Sequence, residues 1–280
     1  MSFVRFALTL VLGVGPSIAW AEEPSISAAS LDPKGWFVHR VKSPYQRGET
    51  ELRVLLPARP AAGERFPVVY VLPVEAHSEH RYGDGLTEIT RHDLHNKHRA
   101  IVAAASFSHL PWYADHPTDP TIRQESYFVQ VVVPFVEKNY PTIASAEGRL
   151  LLGFSKSGWG AWSLLLRHPE LFGRAAAWDA PLMLEKPGRY GSGQVFGTAE
   201  NFANYRLSTA LRARAESFKK SPRLVLLGYG NFRAEHRAMH ALLDELAVPH
   251  DYRDGPERQH DWHSGWVPEG VERLISRGEQ

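Results

Sequence analysis

Ten residues decide the fold: Leu151-Leu152-Gly153-Phe154-Ser155-Lys156-Ser157-Gly158-Trp159-Gly160. An apolar run that reads as a buried strand reaches a tight turn, and a helix begins at once. A serine at the tip of a strand–turn–helix is the setting of a nucleophile elbow. The nucleophile there takes a strained backbone conformation. Strand and helix approach closely two positions before it and two after, so both positions need small side chains. Gly153 and Ser157 meet that need around Ser155. Ser157 as nucleophile would place Trp159 at the second small site, which is sterically poor. Ser155 is therefore the expected nucleophile. The competing reading is a plain strand–turn–helix with an incidental serine, because G-x-S-x-S alone is a weak pattern. The strand before it, the G-x-G after it and a histidine segment downstream favour the elbow.

Outward from this point, strands and helices alternate. Phe66–Leu72 is a continuous apolar run of the kind a fully buried parallel strand needs. Ala100–Ala105, Arg149–Leu152, Ala175–Trp178, Arg223–Leu227 and His250–Arg253 read as further strands, and Trp36–Val41 with Glu51–Leu56 as an opening pair. Helical spacing marks Asp84–Lys97, Glu125–Asn139, Gly158–Arg167, Arg233–Leu246 and Val267–Ser276. Such alternation specifies an α/β fold: a mostly parallel central sheet with helices on both faces. Residues 185–206, rich in Gly, Asn and Tyr, read as an irregular insertion and a candidate lid.

Five segments carry a family resemblance. They are Phe66–Leu72, Tyr127–Tyr140 (YFVQVVVPFVEKNY), Gly153–Ala161, Leu224–Gly228 and His260–Trp266, in order over about residues 50 to 275. Together they resemble the putative esterase (esterase D-like) family of α/β-hydrolases. The resemblance implies an α/β-hydrolase fold and a serine hydrolase or acyltransferase with chain order Ser, acid, His. Gln259-His260-Asp261-Trp262-His263-Ser264-Gly265-Trp266 is similar to the family's G-G-H-D-W-x-x-W segment, with Gln259 in place of a glycine. His260 falls on the catalytic histidine, which would take the Ser155 proton and return it to the leaving group. His263 is a competitor that reads better as an exposed loop residue.

The acid departs from the pattern. The family expects Asp or Glu shortly after Gly228, and the best-matching position here is Asn231. Asparagine can orient an imidazole but cannot offset imidazolium with a charge. Two carboxylates compete on equal terms. Glu235 lies one helical turn further on. Asp179 directly follows a strand that should neighbour the nucleophile strand. For the oxyanion hole, one backbone N–H belongs to Lys156 and the other to the loop after Leu72, at Val74 or Glu75. Trp112, Tyr113 and Trp159 are candidates for lining a substrate pocket, with aromatic packing at loop bases an equal alternative. His77, His80, His92, His95 and His98 lie among Glu75, Glu79, Asp84 and Glu88. Their spacing is not a sharp metal signature and reads better as a solvated face, so neither metal nor cofactor is expected.

Composition narrows the rest. The chain has 280 residues, 43% hydrophobic and 22% charged, enough for a sizeable core. With no cysteine, a disulfide scaffold, a Cys nucleophile and Cys-ligated metals are excluded. A formal net charge of +1 gives no electrostatic case for nucleic acid. Residues 1–21 combine Arg5, an apolar run and Ala19-Trp20-Ala21, and read as a bacterial-type signal peptide. Residues 22–34 read as a flexible arm, and residues 35–280 as one domain. No later segment is apolar enough to span a membrane. The expectation is an exported, periplasmic or secreted esterase acting on a small-molecule or polysaccharide-linked ester. The alternative is an esterase-fold binding protein with lost or weak catalysis, motivated by Asn231, Ser157 and the glycine-poor loop after Leu72.

Overall fold

The computed structural model describes residues 23–77 and 79–276. The segment read as a signal peptide lies outside them. Ten strands follow in chain order. They are β1 (Ser25–Ile26), β2 (Ser30–Leu31), β3 (Phe37–Lys42), β4 (Glu49–Leu55), β5 (Val68–Leu72), β6 (Ile101–Ala105), β7 (Arg149–Phe154), β8 (Arg174–Trp178), β9 (Leu224–Tyr229) and β10 (His250–Glu257). They form one sheet in the order β1-β3-β4-β6-β5-β7-β8-β9-β10, with β2 also on β3. From β6 to β10 every pairing is parallel, and the antiparallel pairings all lie at the N-terminal edge.

The apolar runs predict this burial because each parallel strand must hide both faces. On β5, Val68, Tyr70 and Leu72 enter one core and Val69 and Val71 the other. The first core takes in the helices Ser155–Arg167, Leu207–Arg214 and Arg233–Glu245. Helices Gly85–Arg91 and Val267–Ile275 cover the second face. Val267, Val271 and Leu274 recur at helical spacing, and all three are buried there.

Connectivity then locates the crevice. From β5 the chain steps outward to β6, returns past β5 to β7, and proceeds the other way through β8, β9 and β10. Such a reversal opens a crevice at the carboxyl ends of the two strands that flank it. Here those strands are β5 and β7, in register with Leu72 opposite Gly153.

Three expectations need correction. Residues 22–34 do not hang free in the described part: β1 and β2 both pair antiparallel with β3, giving hydrogen-bond partners to a strand edge otherwise open. The helix expected over Asp84–Lys97 is two, Gly85–Arg91 and Leu94–Lys97, divided where Asp93 adopts φ 57°. The insertion at 185–206 holds a 3-10 turn, Arg189–Gly191, and two short α-helices, Gly193–Phe196 and Ala199–Ala203. Helices this short carry little periodicity to read. They bury Val195, Phe196 and Phe202 in the core, so the segment is packed structure rather than a free lid.

Candidate active site

β7 ends at Phe154, and Ser155 takes φ +53° before the helix Ser155–Arg167 runs on. A non-glycine residue in the left-handed region costs about 1–3 kcal/mol and persists only when its surroundings fix it. Two neighbours fix this one. A Cβ on Gly153 would lie 2.2 Å from the Ser157 carbonyl oxygen, so strand and helix can approach this closely only with glycine there. Ser157 Oγ accepts from the Phe154 N–H at 3.1 Å and donates to the Phe154 carbonyl at 2.9 Å. The serine that replaces a second glycine thus staples the turn.

His260 enters from the loop after β10, with its Nε2 3.0 Å from Ser155 Oγ. On the other side its Nδ1 lies 2.5 Å from Asp179 Oδ2. Asp179 is the first residue after β8, with φ +40° and no exposed surface. Its carboxylate accepts backbone N–H groups from Asn231 at 2.8 Å and Phe232 at 2.7 Å. Burial pushes this carboxyl's pKa up, but the bond from His260 and the N–H groups of Gly230, Asn231 and Phe232 outweigh it and hold it below the usual value. Gly230 is required here, since a Cβ would come within 2.8 Å of Asp179 Oδ2.

The geometry separates the competing acids. Asp179 faces His260, while Glu235 does not. Glu235 opens the helix Arg233–Glu245 and accepts the Met183 N–H at 2.9 Å. Asn231, at the family's acid position, contributes its backbone N–H to Asp179. One further residue steadies this loop: the Ala180 N–H donates to His236 Nε2 at 2.8 Å. Burial pushes the His236 pKa down to about 4, so the ring is neutral near pH 7 and can accept that bond. Glu235 and His236 therefore hold the chain that carries Asp179 without touching His260.

Aromatic side chains that the sequence reading did not single out for the site frame the His260 ring. Phe154, Phe232, Tyr82 and Trp178 have ring centroids 4.7, 5.6, 5.7 and 6.4 Å from it. The loop is anchored by the Trp262 N–H to the Tyr82 carbonyl at 2.8 Å. His263, the rival histidine, is half-exposed and bonds Glu88 at 2.6 Å.

The loop Pro73–Ala76 leaves β5 beside the elbow, as the pairing of Leu72 with Gly153 dictates. Val74 and Glu75 are both buried there. The Lys156 side chain is buried too, with its ammonium 5.9 Å from the Tyr82 ring centroid. Burial pushes its pKa down, Glu75 pulls it up and Arg81 adds to the fall; the net shift is downward. Trp112, Tyr113 and Trp159, expected as pocket candidates, are fully buried. Trp112 and Trp159 pack against each other and against Phe196, and Tyr113 donates to the Pro73 carbonyl at 2.9 Å. They are core: the insertion covers the two tryptophans through Phe196 and Phe202, and Tyr113 packs on Phe107 and Phe128. Among the described residues, no group of three metal-ligating side chains gathers around Ser155 or within residues 75–98.

The comparisons give the family and the fold. The family described as putative esterase matches residues 43–206. Esterase Rv1288 of Mycobacterium tuberculosis (strain H37Rv) is 25% identical over 191 residues, covering 64% of this chain. The chain spans 37% of the length of that relative. Two solved structures share the fold. S-formylglutathione hydrolase (FrmB) from Staphylococcus aureus has a TM-score of 0.68 at 15% identity, over 86% of this chain and 98% of its own. FphF, a fluorophosphonate-binding serine hydrolase of the same organism, has a TM-score of 0.65 at 16% identity, over 89% and 100%. At such identities the likeness speaks for the α/β-hydrolase fold alone. With the family profile extending over more than half of the sequence, through the strand, elbow and helix that present Ser155, this chain belongs to the putative esterase family.

Proposed function

We propose that the protein is an exported serine esterase that cleaves a carboxylic ester through an acyl-enzyme on Ser155. One observation carries the reading: the unbroken hydrogen-bond chain from Asp179 through His260 to Ser155, at 2.5 and 3.0 Å, ending on a hydroxyl at an elbow. His260 Nε2 takes the Oγ proton as Oγ bonds to the ester carbonyl carbon. The carbonyl π electrons move to oxygen, where the N–H groups of Lys156 and of the loop at Val74 or Glu75 receive the charge. Collapse of this intermediate breaks the bond to the alcohol oxygen, which leaves with the proton from His260. Water then repeats the sequence on the acyl-enzyme and frees the acid. A second alcohol in place of water would make the same machinery an acyltransferase.

Asp179 holds the Nδ1–H tautomer, so that Nε2 presents its lone pair to Ser155, and offsets the imidazolium charge. Its lowered pKa keeps it charged while His260 accepts the proton. Export is part of the same proposal and rests on the signal-like residues 1–21; no helix among the described residues is long and apolar enough to cross a membrane. A fluorophosphonate probe, read by peptide mass spectrometry, tests the mechanism. Modification of Ser155 that depends on His260 supports it; an unlabelled Ser155 in folded protein overturns it. A panel of p-nitrophenyl and feruloyl esters then defines the acyl group.

A further inference from the structure

We propose that His240, Asp244 and His250 form a binding site for one divalent transition-metal ion, of which zinc is the best fit, at the edge of the sheet remote from Ser155. His240 and Asp244 are four residues apart on the helix Arg233–Glu245 and share one face. His250 is the first residue of β10, which returns alongside that helix. One donor atom from each of the three lies within 4.8 Å of the others. His240 Nδ1 is 2.7 Å from His250 Nε2, and Asp244 oxygens lie 3.5 Å from His240 Nε2 and 4.0 Å from His250 Nε2.

The orientation of His250 is what distinguishes this group from a chance cluster. Its Nδ1 is 2.8 Å from the Val248 carbonyl oxygen, which can only accept. Nδ1 therefore carries the hydrogen, and Nε2 turns a lone pair towards His240 and Asp244. A ring nitrogen bonded to a backbone carbonyl, with the lone pair of the opposite nitrogen turned towards other ligating groups, is how metal-ligating histidines are fixed. The His250 side chain is 6% exposed, and His240 stacks on Tyr252 at 4.0 Å, so both rings are held. Asp244, at 61% exposure, faces an open cavity also lined by Ala247, Val248 and Lys219, with room for water to complete the coordination. Lys219 pairs with Glu216 at 2.5 Å, which offsets its charge there.

At 2.7 Å the two facing nitrogens share a hydrogen. A metal ion replaces that hydrogen and sends the proton to solvent. Two nitrogens at tetrahedral zinc bond lengths sit about 3.3 Å apart, so the rings need to separate only by roughly half an ångström. Two imidazoles and one carboxylate suit zinc and its neighbours rather than magnesium or calcium. Since Ser155 and Asp179 follow the carboxyl ends of β7 and β8 while His250 opens β10, the ion lies at the other end of the parallel sheet. It would clip helix to edge strand and leave turnover unchanged.

Cobalt(II) titration of the full chain tests the site, because tetrahedral Co²⁺ absorbs visible light far more strongly than the octahedral aqueous ion. The expected result is a one-equivalent absorption change in the wild type that Zn²⁺ displaces. His240→Gln and His250→Gln should abolish it. Asp244→Asn, an exposed substitution that spares the fold, should weaken binding by at least about tenfold, since loss even of an outer-shell partner costs 10–100-fold. A His92→Gln/His95→Gln control should bind like the wild type. Zinc should also raise the unfolding midpoint of the wild type and not that of the His250 variant. No saturable cobalt spectrum, or one retained by Asp244→Asn and His240→Gln alike, would overturn the assignment.

Discussion

Two histidine–carboxylate pairs lie three residues apart on the same loop. His260 meets Asp179 at 2.5 Å, and His263 meets Glu88 at 2.6 Å. Both carboxylates are almost wholly buried, at 0% and 1% exposure. The differences lie beyond the pair. His260 turns its far nitrogen to Ser155 inside a frame of aromatic rings, whereas the half-exposed His263 packs its far nitrogen against Gly83. Asp179 is held by neutral backbone N–H groups, and Glu88 by the Arg91 guanidinium at 2.5 Å. A charged partner already balances Glu88, so its histidine adds little. In the first pair, the charge on Asp179 remains available for a proton arriving on His260. A short bond between histidine and carboxylate is thus no sign of chemistry without a nucleophile on the far nitrogen.

The sharpest way to break the comparison is to remove that nucleophile. Ser155→Ala should lower turnover on the order of 10⁶-fold, the scale seen when a triad serine is removed. Its unfolding midpoint should stay near that of the wild type; turnover retained on a confirmed substrate would end the proposed mechanism. Next comes the acid. Asp179→Asn should cost about 10⁴-fold in kcat, through the wrong histidine tautomer. Glu235→Gln, which keeps an acceptor for the Met183 N–H, should turn over close to wild type. Equal losses in the two variants would contradict the geometry.

A third effect is on stability. The folded pKa of Asp179 is depressed, so its contribution is fully present above the ordinary carboxylate value of 3.8. It is lost as pH falls through the lowered folded value. The difference in unfolding free energy between wild type and Asp179→Asn should therefore shrink in acid; a difference that grows below pH 4 would contradict this. Smallest of all, His263→Gln should change stability by roughly 0–1 kcal/mol, because the half-exposed imidazole is removed while the Arg91 guanidinium stays on Glu88. Turnover in the same variant should stay close to that of the wild type. A loss like that of Asp179→Asn would mean that the two pairs are not distinct in kind.

Ser155 and His260 were legible because each sits in a local pattern, a strand–turn–helix and a His-Asp-Trp segment. The sheet was legible for a similar reason: apolar runs of five or six residues leave few other fates. The choice between Asp179 and Glu235 was not legible. Both follow central strands, and only the direction of one helical turn decides which carboxylate reaches the histidine. Trp112, Tyr113 and Trp159 were candidates for a pocket because large aromatics follow or border loops there. The two tryptophans pack on Phe196 and Phe202, far along the chain in helices too short to announce themselves, and Tyr113 packs on Phe107 and Phe128. The framing rings of Tyr82 and Phe232 share that difficulty, since each belongs to a loop placed by partners far away. A His-rich tract drew attention by density, while the histidines that converge, His240 and His250, come from separate elements.

The tryptophans around the loop have an optical consequence. Trp178 and Trp266 stack at 5.3 Å with ring planes 5° apart, and Trp262 lies 5.0 Å from Trp266. Indoles this close exchange excitation, which splits their transitions and gives paired bands of opposite sign in circular dichroism. One member of the stack belongs to β8, just before Asp179, and the others to the loop that carries His260. The share of the signal from the Trp178–Trp266 pair therefore exists only while those two segments are docked, and it needs neither substrate nor label. Every variant considered above can be checked by its own absorbance for whether the histidine is still seated, before a single ester is added.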